Sequence, residues 1–319
     1  GILIGDDVTT VGDQTYNSPV TISPQGPSVI TTSIAGRIDF VSTIDAGTVP
    51  VGSLTIDTDD VVTFAGAVGS NAALNDLSVS MAGDLTIAHD ITVAGSINIT
   101  TGDSGTDNLV VQSPAVLTTG AAGSVTLNAD DDINIEAGTT VNALNLNVNV
   151  DNVSLSDDPG VGSVVGINGA LNIGGVTTVI GGNDADSISV TPQSGSGFVV
   201  SGGNPPTSPG DSLAIEAGGV DVTIDVATGT ITVAGAEPIA ASGIERVDLS
   251  NANLLTISGD IGPDTVSIAK DPSVVGGDLL TINGVASYAL STVTGLVFNG
   301  GDGDDSLTFD ASGGSPTTP

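Results

Sequence analysis

The chain has almost no basic residues, no cysteine and no tryptophan. Of its 319 residues, three are Lys or Arg and 37 are Asp or Glu, which gives a formal net charge of -34. Phosphate contacts need cationic side chains, so this composition excludes a nucleic-acid partner and argues against attraction to anionic membranes. Without cysteine the protein has no disulfides, no thiol chemistry and no zinc site built on thiolates.

Aromatic side chains and long apolar runs are also scarce. No run reaches the roughly 18 apolar residues that a membrane-spanning helix needs, so we expect no membrane insertion. Aromatic residues form 2% of the chain, too few to fill an ordinary globular core of this size. The chain lacks both an initiator Met and a signal peptide pattern at its start, which predicts a mature or internal piece of a longer chain.

Short alternating strands, closed by Gly, Asp or Asn, recur along the sequence. Their starts lie roughly 20 to 28 residues apart, the spacing of one coil in a repeat solenoid. Examples are Leu54–Ile56, Leu77–Val79, Ile97–Ile99 and Val125–Leu127. This pattern predicts an all-β parallel β-helix in which Asn and Thr side chains stack in ladders. A string of β-sandwich domains is the alternative, because it also gives many short strands with frequent turns.

The composition changes near residue 180, and a Pro-rich stretch at 202–213 predicts a loop because Pro cannot donate to a central β-ladder. We therefore predict a β-helix over 1–180 and two smaller β modules over 181–250 and 251–319. The run Asp130–Asp132 is expected to lie on a solvated face.

Several segments of the first part resemble repeats of filamentous-haemagglutinin-like giant bacterial surface proteins. They are Gly12–Asn17, Val62–Gly69 and Gly123–Asp130. The resemblance covers about the first 180 residues. It implies a secreted right-handed β-helix that serves in adhesion or as a stalk, and it brings no catalytic residues.

The segment Gly300–Thr308 fits the nonapeptide G-G-x-G-x-D-x-U-x at every defined position. It resembles the calcium-binding repeat of the haemolysin-type family, and looser copies start at residues 102, 181 and 259. The resemblance implies Ca²⁺ as a bound ion. It makes Asp305, Asp302 and Asp304 the first candidate ligands, followed by Asp186, Asp184 and Asp264.

The spacing of these copies leaves a second interpretation open. A calcium ion of this kind lies between successive turns, whereas the copies here are never consecutive in the sequence. Each copy is therefore equally well interpreted as a Gly/Asp corner of the solenoid.

Enzyme signatures are weak. Gly210–Leu213 spells the GDSL of a hydrolase family, but His89, the only histidine, lies far upstream of it. A polysaccharide lyase needs basic residues that are lacking here. A glycoside hydrolase needs only two carboxylates, yet the aromatic residues that line sugar sites are scattered along this sequence. We predict that the protein is not an enzyme.

These observations predict a secreted or cell-surface structural protein: a filament, stalk or surface-layer segment stabilised by calcium. Its expected partner is another copy of itself, through end-to-end β stacking, or an adjoining part of a longer chain. The alternatives are an adhesin that binds a host or surface ligand and a β-helix enzyme that degrades polysaccharides.

Overall fold

The computed structural model describes residues 1–23, 27–32, 36–47, 52–102, 107–151, 162–203, 210–273, 277–284 and 286–316. Strands account for 53% of the residues, and the described part contains no helix. No helix in that part is therefore available to span a membrane. The chain divides into two compact units, Gly1–Gly182 and Asn183–Pro319. They are called unit 1 and unit 2 below.

The described residues of unit 1 form 22 short strands. In chain order they are β1 (Ile2–Ile4), β2 (Val8–Thr10), β3 (Gln14–Tyr16), β4 (Val20–Ile22), β5 (Ser28–Thr32), β6 (Ile38–Phe40), β7 (Ile44–Ala46), β8 (Leu54–Thr58), β9 (Val62–Phe64), β10 (Leu77–Met81), β11 (Leu85–Ile87), β12 (Ile91–Thr92), β13 (Ile97–Thr101), β14 (Leu109–Val111), β15 (Val116–Thr118), β16 (Ser124–Asn128), β17 (Ile133–Ile135), β18 (Thr140–Ala143), β19 (Asn145–Asn149), β20 (Val164–Ile167), β21 (Ala170–Ile173) and β22 (Val176–Ile180).

Successive strands of unit 1 lie in rotation on three faces. Face 1 holds β1-β4-β7 and, beyond isolated bridges at Val68, β12-β15-β18-β21. Face 2 runs β2-β5-β8-β10-β13-β16-β19-β22, and face 3 holds β3-β6-β9 and β11-β14-β17-β20. Hydrogen-bonded neighbours within these faces are parallel, as in β10 with β13 and β17 with β20. This parallel β-helix, or solenoid, confirms the predicted fold class and replaces the β-sandwich alternative.

The alternation within each strand decides what is buried. In β13, Ile97 and Ile99 are fully buried whereas Asn98 is exposed. The parallel register places Ile97 beside Leu77 on one side and Val125 on the other, so apolar side chains form continuous rows inside the solenoid. Fully burying one such aliphatic side chain contributes about 1.5 to 3 kcal/mol.

The outward positions form the predicted polar ladders. On face 2, the Asn149 amide donates to Asn128 Oδ1 at 2.8 Å. On face 1, the Asn172 amide donates to Asn142 Oδ1 at 2.8 Å, and the Asn142 amide in turn donates to Thr118 Oγ1 at 3.1 Å. Because parallel neighbours are in register, like side chains meet from coil to coil and satisfy one another.

Face 3 carries an aromatic stack that the sequence does not suggest. The ring centroids of Tyr16 and Phe40 lie 4.9 Å apart, those of Phe40 and Phe64 lie 5.7 Å apart, and the ring planes of both pairs are nearly parallel. All three side chains are buried. The Tyr16 hydroxyl donates to Gln14 Oε1 at 2.6 Å, which satisfies its polar end. The expectation of scattered aromatic residues is therefore wrong for these three, which form core rather than an exposed platform.

In unit 2, the part of the chain that the structure describes forms 13 strands. In chain order they are β23 (Ser187–Val190), β24 (Gly197–Ser201), β25 (Ser212–Glu216), β26 (Val222–Asp225), β27 (Thr230–Val233), β28 (Ile239–Ser242), β29 (Arg246–Ser250), β30 (Leu254–Ser258), β31 (Thr265–Lys270), β32 (Asp278–Ile282), β33 (Ala286–Ser291), β34 (Gly295–Asn299) and β35 (Ser306–Asp310).

The strands of unit 2 form two sheet segments instead of three. Sheet I has the order β23-β25-β29-β33-β32-β31-β35, and sheet II has the order β24-β28-β27-β26-β30-β34. Most neighbours are parallel, but β27 and β32 are each antiparallel to both of their neighbours. The boundary expected near residue 250 falls inside these sheets, because β26 pairs with β30 and β29 pairs with β33.

Candidate cation-binding turns

Two copies of the Gly/Asp motif, 41 residues apart in the chain, lie in adjacent coils of unit 2. The turn 259–264 joins β30 to β31, and the turn 300–305 joins β34 to β35. Because β30 pairs with β34 and β31 pairs with β35, the two turns stack directly. The Asp264 amide donates to Asp305 Oδ1 at 2.9 Å across the stack. The inserted strands β32 and β33 account for the long separation in sequence, and the objection drawn from spacing does not apply to this pair.

Glycine is required for this close approach. A Cβ added to Gly301 would lie 2.3 Å from the Asp260 carbonyl oxygen, and one added to Gly303 would lie 2.5 Å from the Gly262 carbonyl oxygen. Gly301 also has a φ of 89°, which residues with a side chain rarely adopt. The backbones of the two turns are therefore in contact, with carbonyl oxygens directed into the space between them.

The aspartates of these two turns differ in burial. Asp264 is buried: its Oδ1 accepts the Asn283 amide at 2.8 Å, and its Oδ2 accepts the Asp260 N–H at 2.9 Å. Asp305 is half-buried, whereas Asp302 and Asp304 are exposed. Both oxygens of Asp264 thus accept hydrogen bonds from protein donors, one within the turn and one from Asn283 after β32, as expected for a structural corner residue.

The copy that starts at residue 181 places Asp184 and Asp186 in buried positions. The Asp186 amide donates to Asp211 Oδ1 at 2.8 Å, and the Asp211 amide donates to Glu245 Oε2 at 2.7 Å. Asp211 therefore occupies, one coil on, the position that Asp186 holds in its own turn. Sequence reasoning gave Asp211 no role, although Asp211–Leu213 repeats the Asp-Ser-apolar pattern of the motif.

For the copy that starts at residue 102, residues 103–106 lie outside the described residues. Its sixth residue, Asp107, is described and buried. Asp130 is also buried, so the expectation of a solvated face is wrong for that residue.

Carboxylates in unit 1 repeatedly accept a backbone N–H from the next coil. Asp76 Oδ1 accepts Ser96 N–H at 2.8 Å, 20 residues on, and Asp132 Oδ1 accepts Val164 N–H at 2.7 Å, 32 residues on. The same bond is made by Asp7, Asp13, Asp84 and Asp90. Such charge-assisted bonds explain why Asp is enriched at the corners, because its carboxylate accepts hydrogen bonds from backbone N–H groups that have no partner in the strand ladder.

Hydrogen bonds and burial shift the pKa values of two carboxylates in opposite directions. Burial alone would raise the pKa of Asp45, but bonds from Asn71 and Ala72 outweigh it and leave that pKa below its usual value. Burial raises the pKa of Asp211 to about 6, and the neighbouring charges of Asp186 and Glu245 add to the effect. The described residues contain no group of three or more carboxylate or imidazole side chains arranged to hold a metal ion.

The residues of the hydrolase-like motif make structural contacts. Ser212 Oγ donates to the Asp186 carbonyl oxygen at 3.3 Å, and His89 is exposed in unit 1. A cleft of about 190 Å³ in unit 2 is lined mainly by apolar side chains, including Ile224, Ile282 and Tyr288, and among the described residues that line it Asp225 is the one acid. The cleft thus lacks the carboxylate pair of a glycoside hydrolase.

No protein-family model, curated protein or solved structure matches this chain. The functional interpretation therefore depends on the geometry described above.

Proposed function

We propose that the protein is a non-enzymatic, extracellular structural protein that assembles through the ends of its β-solenoid coils, with another copy of itself or with an adjoining part of a longer chain. The observation that carries this proposal is the uncovered core at the last coil of unit 2. Val266 and Ile268 of β31 are buried, but their register partners on β35, Leu307 and Phe309, are 39% and 52% exposed.

The neighbouring sheet ends in the same way. On β34, Leu296 and Phe298 pair with the buried residues Leu255 and Ile257 but are themselves only half-buried. β34 and β35 are the end strands of sheets II and I. In unit 1, β1, β2 and β3 are each the end strand of a sheet. A further coil would cover the apolar row and pair the strand edges, and a contact that does not close on itself propagates into a filament.

Calcium belongs to this proposal as a stabiliser of the stacked turns at 259–264 and 300–305. Carbonyl oxygens between the turns, together with Asp302, Asp304 and Asp305, offer the hard oxygen ligands that Ca²⁺ prefers. The overall charge of -34 supports the same idea, because cations relieve the repulsion among the carboxylates.

Substitution on β35 tests the assembly. Lysine at an apolar edge position opposes β pairing, so the double variant Leu307→Lys, Phe309→Lys should remain monomeric at concentrations where the wild type associates. Thr308→Lys is the matched control, since it adds the same charge on the opposite face of β35. Light scattering after size-exclusion chromatography gives the mass. Association of the double variant equal to that of the wild type would contradict the proposal.

An adhesin remains the second candidate because of face 2 of unit 1. Its outward positions form a row of uncharged hydroxyl and amide side chains in register: Thr55, Ser78, Asn98, Thr126, Asn147 and Thr178. Such a row offers regularly spaced donors and acceptors to a ligand. Binding of a glycan or surface protein by monomers, lost when Asn98 and Thr126 are replaced by Lys, would favour this function.

A further inference from the structure

Two oxygen atoms converge beside Gly202, the residue that follows β24. A Cβ added to Gly202 would lie 2.4 Å from Asp211 Oδ2 and 2.2 Å from the Gly243 carbonyl oxygen. Asp211 directly precedes β25, whereas Gly243 follows β28 in the next coil. The absent side chain thus leaves a carboxylate oxygen and a carbonyl oxygen facing the same small space.

The stacked turn at 259–264 has the same construction. A Cβ added to Gly259 would lie 2.3 Å from Asp264 Oδ2 and 2.2 Å from the Gly300 carbonyl oxygen. There, however, Asp264 Oδ2 accepts the N–H of Asp260, so the carboxylate has a donor. The turn at 259–264 therefore shows this arrangement with a hydrogen-bond donor on the carboxylate oxygen, and it serves as a comparison for Asp211.

Asp211 lacks that donor. Its side chain is fully buried, and no hydrogen-bond partner of Oδ2 exists among the described residues. A buried carboxylate oxygen without a partner is costly, because the water it has lost is not replaced by any other polar group.

No basic side chain offsets this charge. Asp186 and Glu245, which are hydrogen-bonded to Asp211 through backbone amides, carry the same sign of charge as Asp211. The two basic residues of unit 2 are engaged with other acids: Arg246 with Asp248 and Asp271, and Lys270 with Asp278. The site is therefore a buried carboxylate whose Oδ1 has one backbone donor, whose Oδ2 has none, and whose charge no basic side chain of the described residues offsets.

We propose that Asp211 Oδ2 and the Gly243 carbonyl oxygen bind a hard metal cation such as Ca²⁺ beside Gly202. One carboxylate with backbone carbonyls is a ligand set that oxygen-preferring cations accept. The cation replaces the missing donor of Asp211 and offsets the repulsion from Asp186 and Glu245. This site is separate from the turns at 259–264 and 300–305 and does not rest on the proposed assembly.

Calorimetric titration of Ca²⁺ into the chelator-treated full-length chain at pH 7.5 tests the site. The wild type should bind Ca²⁺ with a stoichiometry that the titration measures. The Asp211→Asn variant should lose one binding event and so bind one Ca²⁺ ion fewer per chain. Asp305→Asn should retain that event, so a failure of the C-terminal turns to bind calcium would be distinguished from a failure here. Glu216→Gln, which removes one charge from an exposed position on β25, is the matched control and should titrate like the wild type.

A second measurement needs no variant. Because burial raises the pKa of Asp211 to about 6, protons should compete with the cation near that pH. The binding event assigned to Asp211 should therefore weaken between pH 7.5 and pH 5, where ordinary surface carboxylates remain ionised. Unchanged titration of Asp211→Asn, or no Ca²⁺ binding by the wild type at pH 7.5, would overturn the proposal.

Discussion

Replacement of Phe40 by alanine should destabilise the first three coils of unit 1 and little else. Phe40 is 1% exposed and lies between Tyr16 and Phe64 in the stack. Truncation of a buried Phe to Ala costs about 3 to 5 kcal/mol. Phe40→Leu keeps the apolar volume and loses two ring contacts of about 0.5 to 1.5 kcal/mol each, so its cost should be about 1 to 3 kcal/mol.

The loss should be local, because each coil of a solenoid contacts only its neighbours. Hydrogen exchange by mass spectrometry measures this directly: a loss of about 3 kcal/mol corresponds to roughly a hundredfold faster exchange of protected amides. We expect that acceleration in peptides covering β3, β6 and β9, with little change in β17 of the same face. Equal acceleration in β17, or a change below about tenfold in β6, would refute the reasoning.

Two further predictions concern unit 2. In chelated protein, the pKa of about 6 for Asp211 means that the native state holds its proton more tightly than the unfolded chain does. Ionised Asp211 should therefore lower the free energy of unfolding by up to about 3 kcal/mol at pH 8, a penalty that disappears as the pH falls from about 6 towards 4. Urea denaturation should then show Asp211→Asn more stable than the wild type at pH 8 and nearly equal to it at pH 4. Gly259→Ala should cost about 1 to 3 kcal/mol in the same assay because its methyl would meet the Gly300 carbonyl at 2.2 Å, whereas Gly12→Ala, with open space around it, should change stability by under about 0.5 kcal/mol. A Gly259→Ala variant as stable as Gly12→Ala would show that the turns do not pack as described.

The solenoid could be predicted because its signals are local. Alternation within each strand, as in Ile97, Asn98 and Ile99, reports the buried face directly. The spacing of the strands indicates the number of residues in one coil. In the structure, corner residues that are hydrogen-bonded between coils lie 20 to 32 positions apart in the sequence.

The stacking of distant groups could not be read in the same way. Tyr16, Phe40 and Phe64 are far apart in the sequence and become neighbours only through the register of face 3. Likewise, the turns at 259–264 and 300–305 become adjacent because β30 pairs with β34 and β31 pairs with β35, although β32 and β33 separate the two turns in the sequence.

The role of each corner aspartate depends on whether a single hydrogen-bond donor reaches its second carboxylate oxygen, and the composition of the sequence does not reveal this. Asp264 and Asp211 each directly precede a strand, and each places Oδ2 beside a glycine, Gly259 or Gly202. Asp264 has the Asp260 amide as a partner for its second oxygen, whereas Asp211 Oδ2 has none among the described residues. The run Asp130–Asp132 is expected from its sequence to lie on a solvated face, but Asp130 is buried. The register of the coils determines which corner residues point inward, and the sequence of the run alone does not show this.

Electron microscopy of the purified chain with millimolar calcium, and again after chelation, tests the proposed structural role most directly. We predict filaments or ordered arrays that are absent from the Leu307→Lys, Phe309→Lys variant and that shorten or disperse on chelation. Single particles at every concentration, with strand content by circular dichroism unchanged by chelation, would contradict it.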